Sequence, residues 1–261
     1  NMFNRIGAAC EITAVAEIIR HADKIVLPGN GAFDACMQGL RATGLIPLIE
    51  ERVLQQKTPF LGICVGAQML GHGSEEGSEP GLGWVDMHVL RFPDMPGLPV
   101  PHMGWSPVGR ANAAAPILQS LDAEARFYFV HSYYMQVARL RDVLLTAHYG
   151  LDFTAAVQVD NIIGVQFHPE KSGPAGLRIL ENFLAGSRES VRLTGCPETT
   201  VLAKRLIACL DVRANDRGDL VVTKGDQYDV REGGAVRNLG DPVAMAGASS
   251  EQGADDIPFL N

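Results

Sequence analysis

The feature that most constrains this chain is a cysteine set between two glycines, directly after an apolar run. Pro59-Phe60-Leu61-Gly62-Ile63 reads as a short buried strand, and Cys64-Val65-Gly66 carries it into a helical pattern from about Val65 to Leu70. An earlier run, Lys24-Ile25-Val26-Leu27, is stopped by Pro28-Gly29-Asn30-Gly31. Helix-spaced apolar residues then follow from Phe33 to about Gln56: Met37, Leu40, Leu45, Leu48, Ile49 and Val53. Strands that alternate with helices predict an α/β fold with a parallel sheet.

From Trp84 to Phe167 the pattern turns mainly to strands. Arg126 to Val137, Val143 to Tyr149, Thr154 to Val159 and Ile162 to Phe167 are rich in aromatic and β-branched residues, the last two split by an Asp160-Asn161 turn. The sheet is therefore expected to be mixed. An amphipathic helix from about Ala175 to Leu184 ends this part. The next stretch has Gly195 and Pro197 but no periodicity, which predicts a linker over 187–201. Strand character returns at Leu206 to Leu210 and Val221-Val222, with a helix over Pro242 to Ala254 and a strand at Asp256 to Leu260. The expected domains are 1–186, then the linker, then the opening of a second unit over 202–261.

Composition narrows the ligand class. A net charge of −8 with no Lys/Arg run argues against nucleic acid and favours a small polar metabolite. No apolar run approaches the roughly 18–20 residues that span a bilayer, and Asn1 to Arg5 lacks the apolar core of a secretory signal. The expected compartment is the cytoplasm. The five cysteines have no CxxC pair and no zinc-ligand spacing, so neither a metal nor a cofactor is expected.

A nucleophile at the tip of a strand-to-helix turn needs neighbours without bulky Cβ groups, and Gly62 and Gly66 supply them. The helix that follows would aim its free N–H groups and positive dipole end at the Cys64 sulfur, favouring thiolate. The Val65 N–H would lie where an oxyanion forms. In Gln166-Phe167-His168-Pro169-Glu170, an extended backbone would turn His168 and Glu170 to one side, with the carboxylate fixing the imidazole tautomer. An isolated His-Pro-Glu would be a surface pair. Beside a cysteine elbow it points to a Cys64, His168 and Glu170 triad.

Five segments in order carry a family resemblance: Leu27 to Phe33, Gly62 to Gln68, Pro101-His102-Met103-Gly104-Trp105, Phe129 to Tyr134, and Gln166 to Gly173. Over about residues 1–185 the chain resembles the class I glutamine amidotransferases, specifically the glutaminase of imidazole glycerol phosphate synthase. The resemblance implies glutamine as substrate and a cyclase (β/α)₈ barrel as ammonia acceptor. It implies that Gln68 contacts glutamine, that His131, Ser132 and Tyr133 hold its amino-acid end, and that the loop with Asn30 and Gly31 supplies a second oxyanion donor. It places His102 near a partner surface. Alternatives are a paralogous glutaminase of an amino-sugar pathway, a γ-glutamyl hydrolase, and an inert fragment.

Three departures stand out. Family members usually begin with a strand ahead of the helix that Asn1 to Gly7 resembles, so an exposed sheet edge and marginal stability are expected. Asn30 replaces an apolar residue, and its tolerance of positive φ is expected to ease a flipped loop peptide. Finally, Ala203 to Val212 and Val221 to Gly225 resemble the start of the cyclase. That resemblance implies Asp211 as a catalytic acid/base at the first barrel strand and Lys224 as a helper, in a barrel of which barely two strands are present.

Overall fold

The computed structural model describes residues 2–186, together with the backbone of Ile207–Cys209, Arg213–Ala214 and Leu220–Val221. The chain opens with α1 (Met2–Arg5), β1 (Glu11–Ile12) and α2 (Ala16–His21), then enters β2 (Lys24–Gly29). The helix expected from Phe33 to Gln56 is broken in three. It forms α3 (Phe33–Ala42), α4 (Ile46–Glu50) and a π-helical turn at Glu51–Gln55, with Gly44 at φ 66° where α3 ends. A residue with positive φ cannot continue a right-handed helix, and glycine adopts it without the Cβ clash. The apolar spacing carries across the break, so Phe33, Met37, Leu40, Ile49 and Val53 are all buried.

Next come β3 (Phe60–Cys64) and α5 (Val65–Gln68), followed by β4 (Met87–Arg91) and β5 (His102–Arg110). The aromatic stretch read as one strand is two, β6 (Arg126–His131) and β7 (Tyr133–Val137), which pair with β5 and β4 respectively. The break falls at Ser132, whose carbonyl accepts a bond from the Phe92 N–H at 3.0 Å. The chain then runs through β8 (Val143–Tyr149), β9 (Leu151–Val159), β10 (Ile162–Val165) and α6 (Gly173–Ala185).

One mixed sheet holds these strands, in the order β1, β11 (Ile207–Cys209), β2, β3, β10, β9, β8, β5, β6, with β7 bridging β4 and β9. The β2–β3 and β3–β10 pairs are parallel. Every residue of β3 is buried, as expected of a parallel strand covered on both faces. Buried Lys24 ties the sheet to α6: its Nζ donates to the Phe183 carbonyl at 2.8 Å, one of the acceptors a helix C-terminus leaves open.

Within the stretch Leu206 to Leu210, Ile207–Cys209 forms a strand that runs parallel between β1 and β2 in this sheet. That pairing covers the edge of β2 that the sequence reading left bare. Beyond it, β12 (Arg213–Ala214) and β13 (Leu220–Val221) pair antiparallel. The expected helix at Pro242 to Ala254, the strand at Asp256 to Leu260, and both Asp211 and Lys224 lie outside the described residues.

Candidate active site

Three parallel strands end side by side and carry the site. Cys64 closes β3 with φ 54° and ψ −114°, a strained conformation for a residue with a Cβ. The glycines around it are there because backbones touch. A Cβ on Gly66 would lie 1.9 Å from the Leu27 carbonyl oxygen, and one on Gly29 would lie 2.3 Å from the Gly66 nitrogen. β2 and the cysteine elbow are thus packed main chain against main chain. α5 is a single turn, shorter than the helix read to Leu70, so it offers the sulfur its free N–H groups and little macrodipole.

After β2, Gly31 takes φ 108°, while Asn30 keeps a negative φ. The Asn30 carbonyl accepts a weak bond from the Cys36 thiol at 3.7 Å. The start of α3 is held from outside the loop. Glu76 Oε2 accepts the Phe33 N–H at 2.8 Å, and Asp34 accepts the N–H groups of Ser78 and Glu79, each at 2.9 Å. None of these clamping residues was singled out in the sequence, because no local spacing links 33–34 to 76–79.

His168 follows β10 and is buried. Its Nδ1 bonds Glu170 Oε1 at 2.7 Å. The geometry differs from the strand alternation expected, because Pro169–Lys171 is a 3₁₀ turn that curls Glu170 back onto the ring. Ser172 fixes the same turn by donating to the His168 carbonyl at 2.6 Å and accepting the Tyr128 N–H at 3.0 Å. Among the described residues His168 Nε2 is buried with no hydrogen-bond partner, so that corner of the ring is open to a reacting atom.

Burial alone would push His168 down, but the charge and hydrogen-bonding capacity of Cys64, then of Glu170, outweigh it and raise the imidazole to about 10. Burial would likewise raise Glu170, yet its hydrogen bond and charge interaction with His168 hold it below the usual carboxylate range. The cluster therefore favours imidazolium between a sulfur and a carboxylate.

The remaining residues implied by the family resemblance gather at the same end of the sheet with different partners. Gln68 is buried, and its Nε2 donates to the Tyr133 carbonyl and to Gln166 Oε1, each at 3.0 Å. The His131 ring is turned into the core, where Nδ1 donates to the Tyr133 carbonyl at 2.7 Å and Nε2 meets His102 Nδ1 at 3.0 Å. Gln166, two residues before His168, has its amide 3.9 Å from Cys64 Sγ. Met103 and Trp105, on β5 beside His102, are about half exposed. Among the described residues no cluster of three or more His, Cys, Asp or Glu could hold a metal, and no helix is long and apolar enough to cross a membrane.

Fold and site together define an α/β protein with a strained, buried cysteine at a strand-to-helix elbow. The chain belongs to the class-I glutamine amidotransferase family, whose profile matches residues 3–186. Its relatives carry imidazole glycerol phosphate synthase names. It is 49% identical over 184 residues to imidazole glycerol phosphate synthase subunit HisH 2 of Pseudomonas aeruginosa, covering 70% of this chain and 91% of that protein. It is 43% identical over 283 residues to imidazole glycerol phosphate synthase hisHF of Emericella nidulans, covering 100% of this chain. The chain spans 50% of that second relative's length. A crystal structure described as a glutamine amidotransferase superposes with a TM-score of 0.53 at 20% identity, over 70% of this chain and 89% of that one, and supports the fold.

Proposed function

We propose that this chain hydrolyses glutamine through Cys64, His168 and Glu170 and delivers the ammonia to an imidazole glycerol phosphate synthase cyclase in histidine biosynthesis, in the cytoplasm. One observation carries the reading: His168 is fixed by Glu170 through Nδ1 at 2.7 Å, which leaves its buried Nε2 as the ring atom that serves Cys64 and the substrate.

The steps follow from that arrangement. The Cys64 thiolate attacks the side-chain amide carbon and forms a tetrahedral oxyanion, which the Val65 N–H and an N–H of the Asn30–Gly31 loop would receive. The His168 imidazolium gives its Nε2 proton to the departing nitrogen, so ammonia leaves and a thioester remains. Neutral His168 then takes a proton from water as its oxygen attacks the thioester. Collapse releases glutamate and restores the thiolate–imidazolium pair. Glu170 keeps the ring in one orientation throughout and supports its positive charge. Gln68 and the His131–Tyr133 segment would hold the amino-acid end of glutamine. The His131 ring is committed to the core, so its part is played through the backbone. Ammonia protonated in bulk water is no longer a nucleophile, which is why a direct acceptor barrel makes chemical sense.

The identity to relatives of both names supports residues 1–186 as the glutaminase, 187–201 as a linker and 202–261 as the start of the cyclase, with Asp211 and Lys224 as its acid/base and helper. The test is ammonia release from glutamine, measured with and without a separately supplied complete cyclase barrel and its nucleotide substrate. Glutaminase activity that rises on adding the barrel, and is absent from Cys64→Ala, is expected. Hydrolysis that ignores the barrel but follows an amino-sugar acceptor would replace the histidine reading.

A further inference from the structure

Three buried polar side chains close to the site, Gln166, His102 and His131, have no part in the mechanism. They belong to one hydrogen-bonded relay whose direction is set by a single group, the Tyr133 carbonyl, which can only accept. Gln68 reaches that carbonyl at 3.0 Å, so the atom doing so is its nitrogen. The same nitrogen meets Gln166 at 3.0 Å, so Gln166 must present its oxygen there. The other end of that amide is therefore NH₂, and it faces Cys64 Sγ at 3.9 Å.

The opposite arm obeys the same logic. His131 Nδ1 reaches the Tyr133 carbonyl at 2.7 Å and must carry the proton, which makes Nε2 of the neutral ring an acceptor. His102 Nδ1, 3.0 Å away, must then donate, and the Ser106 hydroxyl donates to His102 Nε2 at 2.8 Å. Rings keep this arm dry: His102 stacks on Tyr149 at 4.1 Å and on Phe129 at 5.1 Å, while Phe92 and Phe153 pack on His131 at 5.2 Å each. Burial pushes His102 down to about 4 and, with smaller opposing and reinforcing contacts, His131 to about 3, so both stay neutral at working pH and the directions hold.

We propose that Gln166 is a further catalytic residue, an N–H donor that stabilises the Cys64 thiolate, and that His102 on β5 and His131 on β6 are positioning residues that hold the Tyr133 carbonyl against which this donor is set. The proposal rests on Cys64 being the nucleophile. A buried amide free to flip would present oxygen to the sulfur half of the time. Gln68 and the Tyr133 carbonyl forbid that flip: a reversed Gln166 would set its NH₂ against that of Gln68, and reversing both would set the Gln68 oxygen against the carbonyl. His131, donating to the same carbonyl and backed by His102, holds it where Gln68 reaches it. Its far end, Ser106, sits on the strand that exposes Met103 and Trp105, so strain applied there reaches the donor through contiguous hydrogen bonds.

The test reads thiol reactivity apart from glutamine binding. Folded parent, Gln166→Met, Gln166→Glu, His102→Asn and His102→Phe are alkylated with iodoacetamide at pH 7, and labelling of Cys64 is followed by mass. Losing a charge-assisted donor slows alkylation by about tenfold in Gln166→Met, and more in Gln166→Glu, which sets a carboxylate oxygen against the sulfur. His102→Phe keeps the ring packing and loses the relay, and is expected to slow alkylation about threefold. His102→Asn, whose amide nitrogen replaces Nδ1, stays within about twofold of the parent. A merely structural role would lower the melting temperature of both His102 variants and leave alkylation alone. Parent-like alkylation in both folded Gln166 variants, or equal rates in His102→Asn and His102→Phe, overturns the proposal. Parent that alkylates readily but ignores glutamine would sink the glutaminase reading and leave this inference standing.

Discussion

Gly66→Ala tests the main-chain contact on which the site is built. The new Cβ would sit 1.9 Å from the Leu27 carbonyl oxygen and 2.9 Å from its carbon, against about 3.4 Å for ordinary contact. The first of these is short by 3.4 − 1.9, about 1.5 Å, and the neighbour is backbone at the core of the sheet. Overpacking of this kind costs up to about 3 kcal/mol. Alanine in place of glycine in a helix returns about 1 kcal/mol. The net loss of about 2 kcal/mol corresponds to a melting temperature lower by about 4–8 °C for a domain of this size. Relief can come only by moving β2 and the Asn30–Gly31 loop away from Cys64. A shift near 1 Å at a reacting centre costs about 100-fold in rate. Thermal melts, paired with the rate at which an electrophilic glutamine analogue inactivates the protein, check both numbers. A variant that melts with the parent and inactivates within threefold of it would refute the argument that these backbones are in contact.

Three further outcomes are expected. Glu170→Gln removes the charge behind His168, so the imidazole falls from about 10 and the alkaline limb of the inactivation profile moves down by about 1–3 pH units. Because the folded value is raised above 6.5, the stability His168 contributes is complete below 6.5 and fades toward about 10. In the variant it fades sooner, which melts between pH 6 and 10 would show. Lys24→Met leaves the Phe183 carbonyl without its buried donor and is expected to cost about 1–3 kcal/mol in urea unfolding while leaving the inactivation rate per folded molecule unchanged. Ala208→Pro deletes a ladder N–H from β11 between two neighbours and is expected to lower the melting temperature by several degrees, at about 3 kcal/mol. An unchanged melt would argue that this strand does not complete the sheet.

Much of the site was legible because its chemistry is local in sequence. The elbow is written in Gly62 to Gly66, since a strained cysteine needs glycine on both sides. The His168–Glu170 pair is written two residues apart, although a 3₁₀ turn and not a strand brings it together. What depends on contacts between distant segments was not legible. Gln166 stands next to a recognised motif, but its bearing on Cys64 follows from Gln68 and Tyr133, 98 and 33 residues away in the chain. The breaks at Gly44 and Ser132 were hidden by apolar patterns that run across them unchanged. The strand character around Ile207–Cys209 does not say which strands lie beside it, because a parallel strand carries no mark of the sheet it joins. Charge and composition narrowed the ligand to a small metabolite and went no further.

The most direct measurement is the intact mass of the chain after incubation with an electrophilic glutamine analogue, run beside Cys64→Ala and in competition with glutamine. One adduct is expected, mapped to Cys64, blocked by glutamine and missing from the variant. A folded protein that takes up no adduct, or takes it elsewhere with glutamine giving no protection, would contradict it.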